Sequence, residues 1–372
     1  MFNHLYQDKR VLLTGHTGFK GSWLAEWLLT LGAEVTGLAL PPPTEPALFN
    51  QLGLAQRLRH LTGDIRDLAT VRAALAAARP HYVFHLAAQP LVRLAYEQPV
   101  ETYATNVLGT VSVLEAVRLA KQPCTVIAIT TDKCYENREW VHSYREEDPL
   151  GGHDPYSSSK GAAELVIQAY RRSYFSLPPE ATPGSGIRLA SARAGNVIGG
   201  GDWASDRIVP DCIRALSRGE TIPVRNKIAT RPWQHVLEPL SGYLWLGAAL
   251  AADVRPPGSS PLASAFNFGP ALTSNRTVAE LVLEILKHWP GHWADHSDPR
   301  AVHEARLLNL ATDKAFHLLN WEPVWDFEHT LAQTVGWYRS CLANPAEARA
   351  LTARQISEFT AAAKTLGLLW TS

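Results

Sequence analysis

The chain has 372 residues, enough for one large domain or for a nucleotide-binding domain that carries a second lobe. Lysine plus arginine and aspartate plus glutamate both number 35, so no field of one sign is available to recruit nucleic acid or an anionic membrane. The four cysteines are scattered, which argues against a metal site and against a disulfide framework. With no signal-peptide pattern at the N-terminus, the composition predicts a globular protein of the reducing cytoplasm.

The first motif is VLLTGHTGFKG at 11–21, in which an apolar run breaks into three glycines, Gly15, Gly18 and Gly21. The apolar run predicts a buried strand, and helical spacing of apolar residues over 22–31 predicts a helix. A strand, a glycine turn and a helix aim backbone N–H groups and the positive helix end at one point, where a pyrophosphate can approach. Because a second predicted strand follows, the motif favours dinucleotide binding over a turn that serves only packing.

The spacing GxxGxxG in TGHTGFKG resembles the extended short-chain dehydrogenase/reductase superfamily. The resemblance implies an α/β fold, a Rossmann-type doubly wound parallel sheet with a smaller, mostly C-terminal substrate-binding lobe. It implies an NAD-binding domain at 1–190 with a return segment at about 233–268, and a sugar-nucleotide-binding lobe at 191–232 and 269–372.

The expected cofactor is NAD. Three prolines at 41–43 follow the second strand, where such folds commonly carry an acidic residue for the ribose hydroxyls. No acidic residue stands there, and no basic residue favours a 2′-phosphate. For Asp64, as for Asp67, the alternative role is a helix N-cap. The cofactor-binding residues that the resemblance implies are Gly15, Thr17, Gly18, Phe19, Gly21, Asp64, Ile65, Ala87, Ala88, Thr130, Tyr156 and Lys160.

A further strand and helix are predicted before the catalytic motif. The strand over 82–86 ends in the small pair Ala87 and Ala88, which lets a nicotinamide riboside pass close to the backbone. The helix predicted over 103–119 carries Asn106, which matches a structural asparagine of the superfamily. We expect Asn106 to support the site and not to take part in the chemistry.

The candidate catalytic residues lie on two predicted elements. A buried strand runs into Thr131, Asp132 and Lys133, and ligands of open α/β sheets bind at such strand ends. Tyr156 and Lys160 are four residues apart, so the phenol and the ammonium share one face of a helix. A nearby cation favours phenolate, and we therefore expect a lowered pKa for Tyr156. A Tyr and a Lys at this spacing are usually a solvated helix face, but the neighbouring motifs favour catalysis.

Substrate contacts are expected from the second half of the chain and from two earlier positions. Arg207 and Arg231 are predicted phosphate clamps, because guanidinium forks match phosphate oxygens two at a time; surface ion pairs are the alternative. Arg193 and Asn196 resemble the superfamily's RxxN arrangement, in which Asn196 would contact the diphosphate. The full predicted set is Gln89, Arg93, Arg193, Asn196, Arg207, Arg231 and His235.

Three longer stretches resemble the CDP-glucose branch of the nucleotide-sugar 4,6-dehydratases: TTDKCYEN at 130–137, the segment with the GGGDW loop at 191–216, and ATRPWQHVLEPLSGYL at 229–244. The resemblance implies conversion of CDP-D-glucose to CDP-4-dehydro-6-deoxy-D-glucose and water. The steps are oxidation at C4 with bound NAD, elimination of the C6 hydroxyl across C5–C6, and return of hydride to C6. Where the dTDP-glucose and GDP-mannose enzymes have Glu after the active-site Asp, this chain has Lys133.

The implied roles follow from that chemistry. Tyr156 would take the proton of the C4 hydroxyl, with Lys160 holding the phenolate and the ribose and Thr131 bonded to the same oxygen. Asp132, protonated, would help the C6 hydroxyl to leave, and Lys133 stands where relatives place the base for C5. A lysine base must be neutral, which requires a depressed pKa.

Other interpretations remain open on the sequence. Another nucleotide-sugar 4,6-dehydratase or a 4-epimerase shares the opening oxidation, although an epimerase does not need Asp132 beside a second ionisable group. A non-catalytic dinucleotide-binding protein is the remote alternative. The superfamily also implies a homodimer or homotetramer formed through the helix that bears Tyr156 and its neighbour. No metal, nucleic-acid or membrane partner is expected.

Overall fold

The computed structural model describes residues 1–176, 186–297 and 307–372, and a parallel sheet lies at the centre of them. The described strands are β1 (Arg10–Thr14), β2 (Glu34–Ala39), β3 (Arg59–Thr62), β4 (Tyr82–His85), β5 (Thr125–Ile129), β6 (Arg188–Ala194), β7 (Val197–Ile198), β8 (Ile222–Val224), β9 (Thr230–Pro232), β10 (Gln234–His235), β11 (Ala265–Phe268), β12 (Asn275–Thr277) and β13 (Trp293–Asp295). Seven of these strands form the central sheet, in the order β11-β6-β5-β4-β1-β2-β3.

Helices cover both faces of this sheet and build the smaller lobe. In the described ranges they are α1 (Phe19–Thr30), α2 (Leu48–Gln51), α3 (Leu68–Ala78), α4 (Val92–Glu97), α5 (Pro99–Tyr103), α6 (Gly109–Ala120), α7 (Pro155–Tyr170), α8 (Ile208–Ser217), α9 (Leu237–Ala252), α10 (Val278–His288), α11 (Asp313–Leu319), α12 (Phe327–Ala343) and α13 (Ala348–Thr365).

The strand sequences account for the sheet. β4 and β5 are buried along their whole length, as strands between two helix layers are. The strand order reverses between β1 and β4, which opens a crevice at the carboxyl ends of these strands. The Rossmann-type doubly wound fold predicted from the sequence is confirmed.

Several elements differ in their bounds from the prediction. α1 begins at Phe19, three residues before the predicted start, because Gly18 takes an extended conformation and ends the turn directly before the helix. The helix predicted over 103–119 is interrupted by a wider π-helical turn over Ala104–Leu108, between α5 and α6. β6 lies in the central sheet as far as Ala194, so the predicted domain boundary at residue 190 falls inside this strand.

The smaller lobe contains three two-stranded sheets, which pair β7 with β10, β9 with β12 and β8 with β13. It is joined to the central sheet by shared packing: the indole N–H of Trp23 on α1 donates to the Gly200 carbonyl at 2.9 Å.

The two chain ends meet on the outside of α1. Trp370 stacks on Phe2 with ring centroids 5.2 Å apart, and the amide of Asn3 donates to the Ser372 carbonyl at 2.9 Å. α13 packs against α1 as well. The last part of the segment 269–372 is therefore attached to the nucleotide-binding side of the molecule.

Within the described residues, no helix has the length and apolar character needed to cross a membrane. The apolar stretch at 240–254 forms most of α9, which is a buried core helix.

Candidate active site

The glycine turn after β1 leaves room in front of a helix N-terminus. Gly15 has a φ of +77°, and a Cβ there would lie 2.7 Å from the backbone nitrogen of Ala87. A Cβ on Gly21 would lie 2.1 Å from the Gly15 carbonyl oxygen, so both positions require glycine. A Cβ on Gly18 meets only the same oxygen, at 3.5 Å. The first N–H groups of α1 have no acceptors within the helix, and the turn therefore fits the pyrophosphate of a dinucleotide.

Three of the other predicted cofactor residues, Thr17, Thr130 and Asp64, have side chains that are bonded to protein groups. The Thr17 hydroxyl donates to the Leu40 carbonyl at 2.9 Å, and Thr130 donates to Glu164. Asp64 forms an ion pair with Arg66 at 2.7 Å. Contacts from these three side chains to NAD stay predictions.

The N-cap of α3 is Asp67 and not Asp64. Asp67 accepts from the amides of Ala69 and Thr70 at the start of α3. Ile65 is buried against Gly109, where a Cβ would lie 2.6 Å from the Ile65 side chain. Ala87 and Ala88 are half-buried directly after β4.

Two elements bring the predicted catalytic residues together. Thr131, Asp132 and Lys133 follow β5, and Tyr156 lies in the first turn of α7. Asp154 fixes the start of α7 because its carboxylate accepts the Ser157 amide at 2.9 Å. These four side chains lie on the wall of one cavity of about 970 Å³, which also touches Phe19.

Asp132 is a buried carboxyl group whose surroundings favour the protonated form. It is 2% exposed, and burial raises its pKa although Thr131 and Lys133 act in the opposite direction. Its Oδ1 accepts the Thr131 hydroxyl at 2.8 Å, while Oδ2 has no hydrogen-bond partner among the described residues. A side chain at Gly195 would lie 2.5 Å from Oδ2, so this glycine provides the room for the carboxyl group.

Tyr156 and Lys160 are both buried, and burial is the largest influence on their pKa values. Burial raises the pKa of Tyr156 to about 12, although hydrogen bonding to Thr131 and the charge of Arg207 act to lower it. Burial lowers the pKa of Lys160 to about 8, partly offset by Glu164. The expected lowering of the Tyr156 pKa is therefore wrong, because desolvation of the phenolate exceeds the effect of nearby cations.

Basic side chains are available for a diphosphate on the same cavity wall. Arg207 and Arg231 both line the cavity, and Arg207 is held by Asp202 at 2.7 Å. Arg93 lines it from α4, with its guanidinium 3.7 Å from Asp206. The wall also includes Asn196.

Three predicted substrate residues do not lie on this wall. Arg193 is buried, with its guanidinium 2.8 Å from Glu164 and 2.7 Å from the Tyr135 hydroxyl. His235 is buried among aromatic rings, and its Nδ1 accepts the Leu237 amide at 3.3 Å. The Gln89 side chain is bonded to Leu91 and Thr102. Protein groups bind most polar atoms of these three side chains, but Nε of Arg193 and Nε2 of His235 have no hydrogen-bond partner among the described residues. Direct contact of these residues with the substrate stays a prediction.

Arg193 on β6 is linked to α7 by its ion pair with Glu164. Glu164, its partner, is one turn after Lys160 on this helix and also accepts the hydroxyls of Thr130 and Ser191. Burial alone would raise the pKa of Glu164, but the Arg193 guanidinium holds it below its usual value. The ion pair therefore holds the catalytic helix against β5 and β6.

Asn106 supports the site as predicted. Its Oδ1 accepts the Gln89 amide at 2.9 Å, and its amide nitrogen donates to the Ser159 hydroxyl at 2.9 Å. It lies in the π-helical turn before α6, and such turns occur often at functional sites.

Lys20 is a charged wall residue that the sequence analysis did not predict. Lys20, the second residue of α1, lines the cavity, and burial and the charges of Arg207 and Lys160 lower its pKa to about 8. The available signal was a lysine inside the glycine fingerprint, where a cation adds to the positive helix end.

A family model described as GDP-mannose 4,6 dehydratase matches residues 12–245. The chain belongs to this family of nucleotide-sugar 4,6-dehydratases. The CDP-glucose 4,6-dehydratase of Salmonella typhimurium strain LT2 is 47% identical over 91% of this chain and 92% of its own length. The dTDP-glucose 4,6-dehydratase of Mycolicibacterium smegmatis is 28% identical over 89% of this chain and 93% of its own length.

Solved 4,6-dehydratase structures agree with this assignment. The dTDP-glucose 4,6-dehydratase of Streptomyces venezuelae, solved with NAD and TYD bound, has a TM-score of 0.74 and 26% identity and covers 89% of this chain and 97% of its own. The NAD-dependent dehydratase activity predicted from the sequence is thereby confirmed at the level of the family, and the glycine turn fits its cofactor.

Proposed function

We propose that this enzyme converts CDP-D-glucose to CDP-4-dehydro-6-deoxy-D-glucose and water. The nucleotide is supported by the Salmonella relative, which is 47% identical and is named for CDP-glucose, against 28% for the dTDP-glucose relative. Asp132 carries the assignment of an elimination, because this step needs an acid for the leaving hydroxyl: burial raises the pKa of Asp132, and its Oδ2 has no hydrogen-bond partner among the described residues.

The opening step uses the residues of β5 and α7. NAD supplies the hydride acceptor at C4 and the hydride returned to C6. Tyr156 takes the C4 hydroxyl proton, and Thr131, which is bonded to Tyr156, orients the same sugar oxygen. The Lys160 ammonium stabilises the phenolate from the same face of α7.

The second step uses Asp132 and Lys133. A ketone at C4 makes the C5 proton acidic, and Lys133 is the base that takes this proton. Asp132 donates its proton to the C6 hydroxyl, which leaves as water. The two side chains are adjacent on one cavity wall, which favours elimination over epimerisation.

The experiment is mass spectrometry of the purified enzyme incubated separately with CDP-glucose, dTDP-glucose, UDP-glucose and GDP-mannose. We expect the loss of one water from CDP-glucose alone, without net accumulation of NADH. Loss of water from a different nucleotide sugar keeps the reaction and refutes the substrate. No change in mass refutes the dehydratase assignment itself.

We also propose that the enzyme is a homodimer or homotetramer of the cytoplasm. Leu119 of α6 and Leu165 of α7 are 38% and 56% exposed, and a second subunit would cover both. All four cysteines are buried and free, which suits a reducing compartment. Light scattering of the purified protein tests the assembly, and a monomeric mass refutes it.

A further inference from the structure

The small sheet of β8 and β13 forms part of the cavity wall. This part lies far along the chain from β5, which carries the catalytic residues at its end. The two strands run parallel, with Val224 opposite Asp295. Asp295 lies on the cavity wall together with Lys227 and Ser297. Pro223 and Ile228 of the same wall provide apolar surface, as a planar base requires.

Asp295 is nearly but not completely saturated with hydrogen bonds. Its Oδ1 accepts the Ser297 amide at 3.0 Å and the Ser297 hydroxyl at 2.6 Å, and its Oδ2 pairs with the Lys227 ammonium at 2.7 Å. A carboxylate offers about four lone-pair positions, so roughly one stays available, on Oδ2. Ser297 and Lys227 fix the orientation of the carboxylate, and its side chain is still 38% exposed.

Lys227 presents donors beside that free acceptor position. Its backbone carbonyl accepts the Ala279 amide at 3.0 Å, and the Ala229 carbonyl accepts the Val278 amide at 3.0 Å. The loop after β8 is thereby anchored to the start of α10. An ammonium has three donors, of which the ion pair with Asp295 uses one. The wall therefore offers an acceptor and a donor side by side.

With the 4-position of the base facing Asp295 and N3 facing Lys227, this acceptor and this donor match one pyrimidine. Cytosine presents its 4-amino donor next to the N3 acceptor, whereas uracil and thymine present a 4-oxo acceptor next to an N3–H donor. A carboxylate accepts from the amino group and repels a 4-oxo oxygen. We propose that Asp295 and Lys227 read this edge of cytosine and thereby select CDP-sugars over UDP- and dTDP-sugars. The inference rests on the proposed function and adds the residues that determine its nucleotide.

Three other wall carboxylates are bound by arginines. Asp202 is held by Arg207, and Asp206 and Asp211 by Arg225. Asp132 lies at the catalytic end. These arginine-bound carboxylates keep basic groups in place, whereas Asp295 is bound by a lysine and a serine at the end of β13.

The test compares Asp295→Asn with the wild type on CDP-glucose and UDP-glucose. An amide can turn its nitrogen towards a 4-oxo oxygen, so we expect kcat/KM to fall for CDP-glucose and to rise for UDP-glucose. The ratio of the two should fall roughly 10- to 100-fold, mainly through KM, because the contact is equal in ground and transition states. Lys227→Met should lower kcat/KM for CDP-glucose without the gain for UDP-glucose.

The matched control is Asp8→Asn, which changes an exposed aspartate outside the cavity wall and should leave the ratio unchanged. A ratio that stays within about twofold of the wild type in both wall variants overturns the inference. If Asp295→Asn does not fold, by its thermal melting, the result for Lys227→Met decides. Wild-type enzyme that prefers UDP- or dTDP-glucose refutes the proposed substrate, an outcome separate from any effect of the variants.

Discussion

At the scale of single residues, Asp132 is the group on which water loss depends. Asp132→Asn keeps an acceptor for the Thr131 hydroxyl but has no acidic proton. We expect the rate of water loss to fall about 100- to 10 000-fold while the first hydride transfer persists. Mass spectrometry and NADH absorbance measure the two steps.

The pH dependence of kcat should also follow from the protonation of Asp132. Because burial raises the pKa of Asp132, the acid form persists to higher pH than in an ordinary aspartate, and kcat should fall as pH rises through that raised value. Full turnover by Asp132→Asn would contradict the acid role.

Lys133 is tested by isotope exchange. Lys133→Met preserves most of the side-chain stem and removes the amine, so deuterium from solvent should no longer enter C5 while hydride transfer survives. NMR of the product or recovered substrate measures the exchange. Lys364→Met, on α13 and outside the cavity wall, is the control. Exchange in Lys133→Met at the wild-type rate would exclude Lys133 as the base.

The catalytic residues could be found in the sequence because their signals are local. Thr131 and Asp132 follow an apolar run, and Tyr156 and Lys160 are separated by four residues, which is about one helical turn. The pKa of Tyr156 could not be predicted, because it depends on burial by segments distant in sequence. The ion pair of Arg193 with Glu164 could not be predicted for the same reason, because Glu164 lies on a different element.

At the scale of elements, the glycine turn offers a matched pair of substitutions. A Cβ at Gly18 would meet backbone at 3.5 Å, but one at Gly21 would clash at 2.1 Å. Gly18→Ala should weaken NAD binding about tenfold or more, because the methyl group occupies the approach of the pyrophosphate. Its free energy of unfolding should change by at most about 1 kcal/mol.

Gly21→Ala should lose both NAD binding and stability. NAD titration and urea denaturation of both variants separate the two effects. Equal losses of stability in the two variants would show that the turn does not discriminate between these positions.

The docking of α7 on β6 depends on a buried ion pair. Arg193→Met leaves Glu164 buried without its cation, which should destabilise the fold by about 3–5 kcal/mol. The double variant Glu164→Leu/Arg193→Met should recover most of that loss. In folded Arg193→Met, KM for the nucleotide sugar should stay near the wild-type value while kcat falls. A large rise in KM with unchanged stability would instead support the direct contact between Arg193 and the substrate.

Element types were more predictable than element bounds. The strands before the glycine turn and before Thr131 were predicted because short apolar runs bounded by turns are distinctive. The π-helical turn at 104–108 was not, since it depends on Asn106 bonding to Gln89 and Ser159 in other segments.

At the scale of the whole molecule, the two chain ends stabilise each other through an aromatic cluster. Trp370 is fully buried against Phe2, Trp27 and Phe359. Trp370→Ala should lower the free energy of unfolding by about 3–5 kcal/mol. The neighbouring Leu369 is 55% exposed, and Leu369→Ala should stay within about 0.5 kcal/mol of the wild type. Urea denaturation measures both, and equal effects would contradict a shared core at the chain ends.

The sheet order has a consequence for synthesis on the ribosome. β6 pairs with β11, whose first residue, Ala265, follows the last residue of β6 by about 70 positions. At a synthesis rate of about 5–20 residues per second, β11 is made roughly 4–14 s after β6. During this time the edge of β6 is open to pairing with other nascent chains. Charged side chains discourage such pairing, and β6 carries Arg188 and Arg193. The arginine that later anchors the catalytic helix can thus protect the unfinished sheet first.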